Sequence, residues 1–130
     1  MDIKYNEATH NRPEGDRIVT APFVFTDIEN ARRQLIEEDA WKKNDRNGLT
    51  LFKAEGQTIV LTALHAGAEV PANEIKGTVT IQVIEGSLNF FLGGEIFDLK
   101  AGNLVALLPN LAHGFKAKDD SLVLITTNLL

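Results

Sequence analysis

The sequence predicts an all-β barrel or sandwich, and three observations carry that expectation. Between Val70 and His113, apolar-rich runs are separated by Glu85-Gly86, Gly93-Gly94 and Ala101-Gly102, so short strands turn back on one another at brief, regular intervals. From Thr78 to Glu85, Val79, Ile81 and Val83 alternate with Thr80 and Gln82, which gives a strand one apolar and one partly polar face. Gly93-Gly94 is a two-residue link of the kind that supplies positive φ to a twisted hairpin.

A chain of 130 residues has the size of one domain and too few residues for a second core. The expected organisation is a polar arm over 1–17, a strand-and-helix extension over 18–48 and the barrel over 49–130. Hydrophobic residues at 44% and charged residues at 24% fit a soluble globular protein. A formal net charge of −5 without a basic run argues against a nucleic-acid partner, because phosphate binding needs clustered Lys and Arg. The absence of cysteine excludes disulfides and thiolate zinc sites. No run approaches the ~20 apolar residues of a membrane span, and the first residues lack a signal-like apolar core. No membrane association and a cytoplasmic location are therefore expected.

In chain order, Met1 to Arg17 is polar, with Pro13 and Gly15, and reads as a loosely held arm in which His10 is solvated. Ile18 to Phe25 is β-rich but interrupted by Pro22, which suits an edge strand or two short ones. Thr26 and Glu29 have the spacing of a capping box, and Ile28, Ala31, Leu35 and Ile36 share one helical face. A helix from about Asp27 to Glu38 follows, packed outside the barrel, with Glu29 set to pair with Arg33 and with Ala40 and Trp41 continuing its apolar side. Lys42 to Gly48 reads as a turn-rich connector.

Strands are expected at Leu49 to Lys53 and Thr58 to His65 around a loop containing Gly56, then at Thr78 to Glu85, Ser87 to Leu92 and Glu95 to Leu99. Leu104 to Leu108 is apolar throughout and reads as a buried strand. His113 to Ala117 and Ser121 to Thr127, joined by Lys118-Asp119-Asp120, complete the barrel.

The segments LHAGAEVP (Leu64 to Pro71), VPANEIKGTVTIQVIEG (Val70 to Gly86) and GNLVALLPNLAH (Gly102 to His113) resemble the two motifs of the cupin family. The resemblance implies a double-stranded β-helix, or jelly-roll barrel, and a pairing of chains into a homodimer. In the family the first motif carries two His and a Glu, and the second a third His, to hold a metal. Here Ala72, Asn73, Glu74 and Ile75 stand where the His pair belongs, and Val79 stands where the Glu belongs if Gly86 closes the motif. Gly102, Pro109 and His113 resemble the second motif's Gly, Pro and His, with a longer first gap and no Gly between Pro and His.

Three functions are consistent with these residues. The first is a small-molecule-binding cupin without a complete conventional metal site, whose pocket draws on His113, His65, Asn73, Gln82, Val79 and Ile81. The second is a metal-dependent oxygenase or isomerase in which His65, Glu74 and His113 form an altered ligand set for a divalent iron, manganese, nickel or zinc ion, or an isomerase using His113 as acid-base without metal. The third is a structural dimerisation module. Against a site role, either His could be satisfied by the backbone, and Glu74, Gln82 and Asn89 could face water. Neither Ser87 nor Ser121 lies in a nucleophile-elbow pattern.

Overall fold

A computed structural model describes residues 4–5 and 18–129. Among these, the chain forms β1 (Lys4–Tyr5), β2 (Ile18–Thr20), α1 (Ile28–Glu37), α2 (Asp39–Lys43), β3 (Arg46–Ala54), β4 (Gln57–Leu64), β5 (Glu69–Asn73), β6 (Gly77–Glu85), β7 (Ser87–Leu92), β8 (Glu95–Lys100), β9 (Leu104–Leu107), β10 (His113–Ala117) and β11 (Ser121–Leu129). All pairings are antiparallel. Two sheets dominate, with strand orders β3-β4-β11-β6-β9 and β5-β10-β7-β8, while β1 and β2 form a separate ribbon. His10 and most of the arm lie outside the described residues. None of the described helices is long and apolar enough to cross a membrane.

The two-residue period decides which side chains meet. Val79, Ile81 and Val83 of β6 join Leu64, Val123 and Leu107 of their own sheet and Leu88, Phe90, Phe115 and Ala117 of the other in one buried cluster. That cluster is the barrel interior. The opposite face of the five-stranded sheet carries a second cluster, in which Ala31 and Leu35 of α1 cover Leu49, Leu51, Leu61, Ala63 and Leu122. The helix thus packs outside the barrel, as its apolar stripe predicts.

Several local expectations change. Asp27, not Thr26, caps α1, its carboxylate accepting the Asn30 N–H at 3.1 Å. With the cap there, Glu29 is the second helical residue, too early to reach back as a capping box requires. It bonds Arg32 instead of Arg33, at 2.9 and 3.1 Å, while Arg33 donates to Asn30. The helix stops at Glu38, whose backbone is extended, so Ala40 and Trp41 ride on the separate turn α2.

Lys42 to Gly48 is not a connector throughout, because α2 runs to Lys43 and β3 starts at Arg46. Asn47 explains the early start. Buried beneath α1, its amide donates to the Leu35 carbonyl at 2.9 Å and to Glu38 Oε1 at 2.9 Å. A carbonyl at the helix C-terminus thereby gains a donor that the helix cannot supply.

The first strand of the extension is only Ile18–Thr20, since Pro22 has no N–H to continue a ladder. Leu104 to Leu107 does form a strand, but it is the edge of its sheet and pairs only with β6. Leu104 is consequently 61% exposed, and Leu108 beyond the strand 73%, instead of buried. The Gly turns form as expected: Gly93 and Gly94 have φ of 58° and 80° between β7 and β8.

Replacing Asn47 by Ala should leave the Leu35 carbonyl buried without its donor and cost about 1–3 kcal/mol. Urea unfolding should show a lower midpoint with an unchanged slope. An unshifted midpoint would mean that the amide does not hold helix to sheet.

Candidate functional site

The chain passes from one sheet to the other twice at the same end of the barrel, through residues 74–76 between β5 and β6 and through 108–112 between β9 and β10. The two crossings are tied together, the Asn110 N–H donating to the Ile75 carbonyl at 2.9 Å. His113 opens β10 at this end. Its register partners are Asn73 of β5 on one side and Leu92 of β7 on the other.

Alternation along β10 turns His113, Phe115 and Ala117 inward and leaves Lys116 exposed. His113 is 8% exposed, and its ring centroid lies 6.1 Å from that of Phe90 with the planes 29° apart. Its Nδ1 is 2.9 Å from the Leu111 carbonyl oxygen. A carbonyl can only accept, so Nδ1 carries the hydrogen, and in the uncharged ring Nε2 presents a lone pair. Among the described residues nothing hydrogen-bonds Nε2.

Opposite, Thr58, Thr127, Val79 and Leu107 are register partners across β4, β11, β6 and β9. They share the parity of Leu64, Val123, Val83 and Ile81, so the row faces inward. Val79 lies near the start of β6 and Leu107 ends β9, the strands that meet the two crossings, which puts this row at the His113 end. Ile75, in the first crossing, packs against the interior cluster.

One glycine sets the spacing. The β5–β10 register shifts between His113 and Phe115, and a Cβ on Gly114 would fall 2.6 Å from the Val70 carbonyl oxygen and 2.8 Å from the Ala72 nitrogen. Only a residue without a side chain lets β5 come this close, and the close approach aligns Asn73 with His113.

Other sequence candidates lie elsewhere. Gln82 is exposed on the outer face, in the row Leu61, Leu124, Gln82 and Leu104; its neighbours Ile81 and Val83 point inward, so it cannot. His65 follows β4 and belongs to the helical layer. Its ring stacks on Trp41 with centroids 3.4 Å apart and planes at 13°, and its Nε2 lies 2.7 Å from the Trp41 carbonyl, to which it donates. The His65 N–H donates to the Asp45 carbonyl at 2.9 Å; the Asp45 carboxylate is held below the usual range by its hydrogen bond from Arg46. Glu74 is exposed in the first crossing, and Asn89 stands between Lys116 and Asp98 on the outer face of its sheet.

By sequence, no family model and no curated protein matches the chain. Solved structures do. A protein from Thermus thermophilus superposes with a TM-score of 0.69 at 18% identity, covering 82% of this chain and 98% of its own. A cupin superfamily protein from Desulfitobacterium hafniense gives 0.65 at 17% identity, over 67% of this chain and 80% of its own. An RmlC-like cupin from Desulfovibrio desulfuricans gives 0.59 at 27% identity, over 64% and 81%. The chain has the cupin fold.

At the motif positions of a cupin barrel this chain carries different chemistry. Val79 is buried among aliphatic side chains where the resemblance places a carboxylate, and Ala72, Asn73, Glu74 and Ile75 stand where it places the His pair. Among the described residues no group of three His, Cys, Asp or Glu is placed to hold a metal ion. The altered ligand set of His65, Glu74 and His113 is therefore not assembled, because His65 serves the helical layer and Glu74 faces outward. The inward Thr58 and Thr127 were not singled out from the sequence, although counting back in twos from Leu64 reaches Thr58. Nothing local marks Gly114.

Gly114→Ala should force β5 away from β10 and cost about 1–3 kcal/mol, the range for adding atoms to a filled site. Denaturant unfolding measures it. Wild-type stability in the variant would show that the close approach is not a constraint.

Proposed function

We propose that this cupin-fold protein binds a small organic molecule at the crossover end of its barrel, with His113 orienting the ligand. The observation that carries this is the buried imidazole itself: one nitrogen is committed to the Leu111 carbonyl, and the other has no protein partner among the described residues. Buried polar atoms are usually satisfied, and one left open on the inward face of a barrel is poised for a bound group. Phe90, Leu92, Val79 and Leu107 supply apolar surroundings, and Asn73, exposed at the end of β5, is the register neighbour of His113.

The same lone pair could take a proton from a bound ligand, which is the acid-base isomerase reading. Binding is the stronger conclusion, because no carboxylate among the described residues bonds His113 to complete a proton relay. A metal at this end would find the His113 Nε2 and the Asn73 amide oxygen, fewer donors than the three or so a protein usually provides.

Ligand-observed NMR with a fragment library should find mutually competing binders of the wild type, weakened about ten-fold or more by His113→Phe, the scale of about 1.4 kcal/mol for one interaction. Equal binding to both proteins, or near-stoichiometric transition metal retained through His113, would overturn the proposal.

We further infer a homodimer. Phe23 and Phe25 are 71% and 92% exposed and meet edge to face at 5.5 Å. Val24 and Thr26, between and beyond them, line an apolar groove of about 380 Å³ with Ile28, Leu51, Phe52, Ile59 and Leu124. Aromatic side chains beside an apolar groove make a self-complementary patch, as a two-fold interface requires. Light scattering should give twice the chain mass for the wild type and the single chain mass for Phe25→Ser. A wild-type monomer at micromolar concentration removes the inference.

A further inference from the structure

We infer that Asn47-Gly48 is a latent self-modification site, in which the helical layer holds the Asn47 amide away from the Gly48 nitrogen and lifting of that layer commits the chain to deamidation. It is the one Asn-Gly pair of the sequence. In the reaction the Gly48 nitrogen attacks Asn47 Cγ. The N–Cγ bond forms, the Cγ–Nδ2 bond breaks, and the side-chain nitrogen leaves as ammonia with the Gly48 proton. Solvent water then opens the succinimide ring at one carbonyl or the other, giving aspartate or isoaspartate. The nucleophile must come within about 3–3.5 Å of Cγ, and glycine, without a Cβ, leaves its nitrogen unhindered and its backbone free to turn. The fold does not call for glycine at this position. A Cβ there would meet Thr62 Oγ1 at 3.5 Å and the Leu61 carbonyl oxygen and Val60 Cγ1 at 3.8 Å, ordinary contacts, and Gly48 is not among the glycines with positive φ.

The native structure blocks the attack twice. Asn47 is 5% exposed, on the face of β3 that carries Leu49 and Leu51 beneath α1, and its Nδ2 donates to the Leu35 carbonyl and to Glu38 Oε1. Gly48 is held in register opposite Thr62 of β4. Both restraints lie at a margin of the molecule. β3 is an edge of its sheet, and the buried residues of α1 are Ala31 and Leu35 alone. Elements with few buried apolar contacts open before the core does. Once made, the product keeps the layer off. A carboxylate at position 47 has no hydrogen to give, so the Leu35 carbonyl and the Glu38 carboxylate would each face an acceptor, the second of like charge. Isoaspartate also routes the chain through Cβ and Cγ, adding a methylene to β3 and upsetting its alternation. Lifting, reversible until then, becomes permanent.

The test follows Asn47 in the full chain by peptide mass mapping, in mildly alkaline buffer, across urea concentrations from none to full unfolding. In the unfolded chain Asn47 should convert faster than any other asparagine. In native buffer its conversion should be about ten- to a thousand-fold slower, the inverse of an opened state populated at about 0.1–10%, and it should accelerate in urea too dilute to unfold the barrel. Gly48→Ala, whose added methyl the structure accommodates, should fold with a midpoint no lower than the wild type and lose the rapid conversion; its rate in full urea is readable even if the variant does not fold. After urea is removed, hydrogen exchange of the converted protein should show α1 amides unprotected and the β6–β11 ladder still protected. Native conversion at the unfolded rate would show that the helical layer is no shield, and conversion rising only with global unfolding would show that it is not the gate. Slow conversion of Asn47 in the unfolded chain, an unslowed Gly48→Ala, or α1 as protected after conversion as before would equally overturn the inference.

Discussion

The approach of β5 to β10 at Gly114 is the constraint on which the candidate site depends. A sheet holds its strands about 4.8 Å apart, but here a shift in register brings the β5 backbone into the space that a side chain at Gly114 would fill. Because β10 is also paired with β7, the strand cannot retreat without breaking its other ladder. His113 is the next residue, so its direction, its bond to Leu111 and its alignment with Asn73 follow from that fit. The apolar cluster between the sheets then fixes how deep the imidazole sits.

The interior shows how one exchange of residue type changes what a barrel can do. Val79 lies in the aliphatic cluster with Ile81, Val83 and Leu107, and an ionised carboxylate there would need an ion or a donor network to offset its desolvation. Valine needs neither. Position 79 therefore contributes only contact area, and on the inward face at this end the polar groups are the His113 imidazole and the Thr58 and Thr127 hydroxyls.

Much of the fold was legible because its signals are local. Paired glycines mark turns by their φ, alternation marks β6, and the spacing of Ala31 and Leu35 marks a helix with one apolar face. What was missed depends on partners distant in sequence. Leu104 and Leu108 look like core residues until β9 is seen to be an edge, and Asn47 looks like turn chemistry until α1 is laid over it. The site divides the same way. Gln82 could be placed on the outer face by counting in twos from Val79, but nothing near His65 in sequence says that Trp41 will hold it in the helical layer. His113 and Asn73 are far apart along the chain and become neighbours only through the pairing of β10 with β5.

The stacking of Trp41 on His65 has an optical consequence. It is the single indole of the chain, and it sits in the outer layer with its face against an imidazole and its carbonyl held by the same ring. Its ultraviolet emission therefore reports whether that stack holds and whether α2 stays seated. Occupancy at the far side of the sheet would pass in the dark.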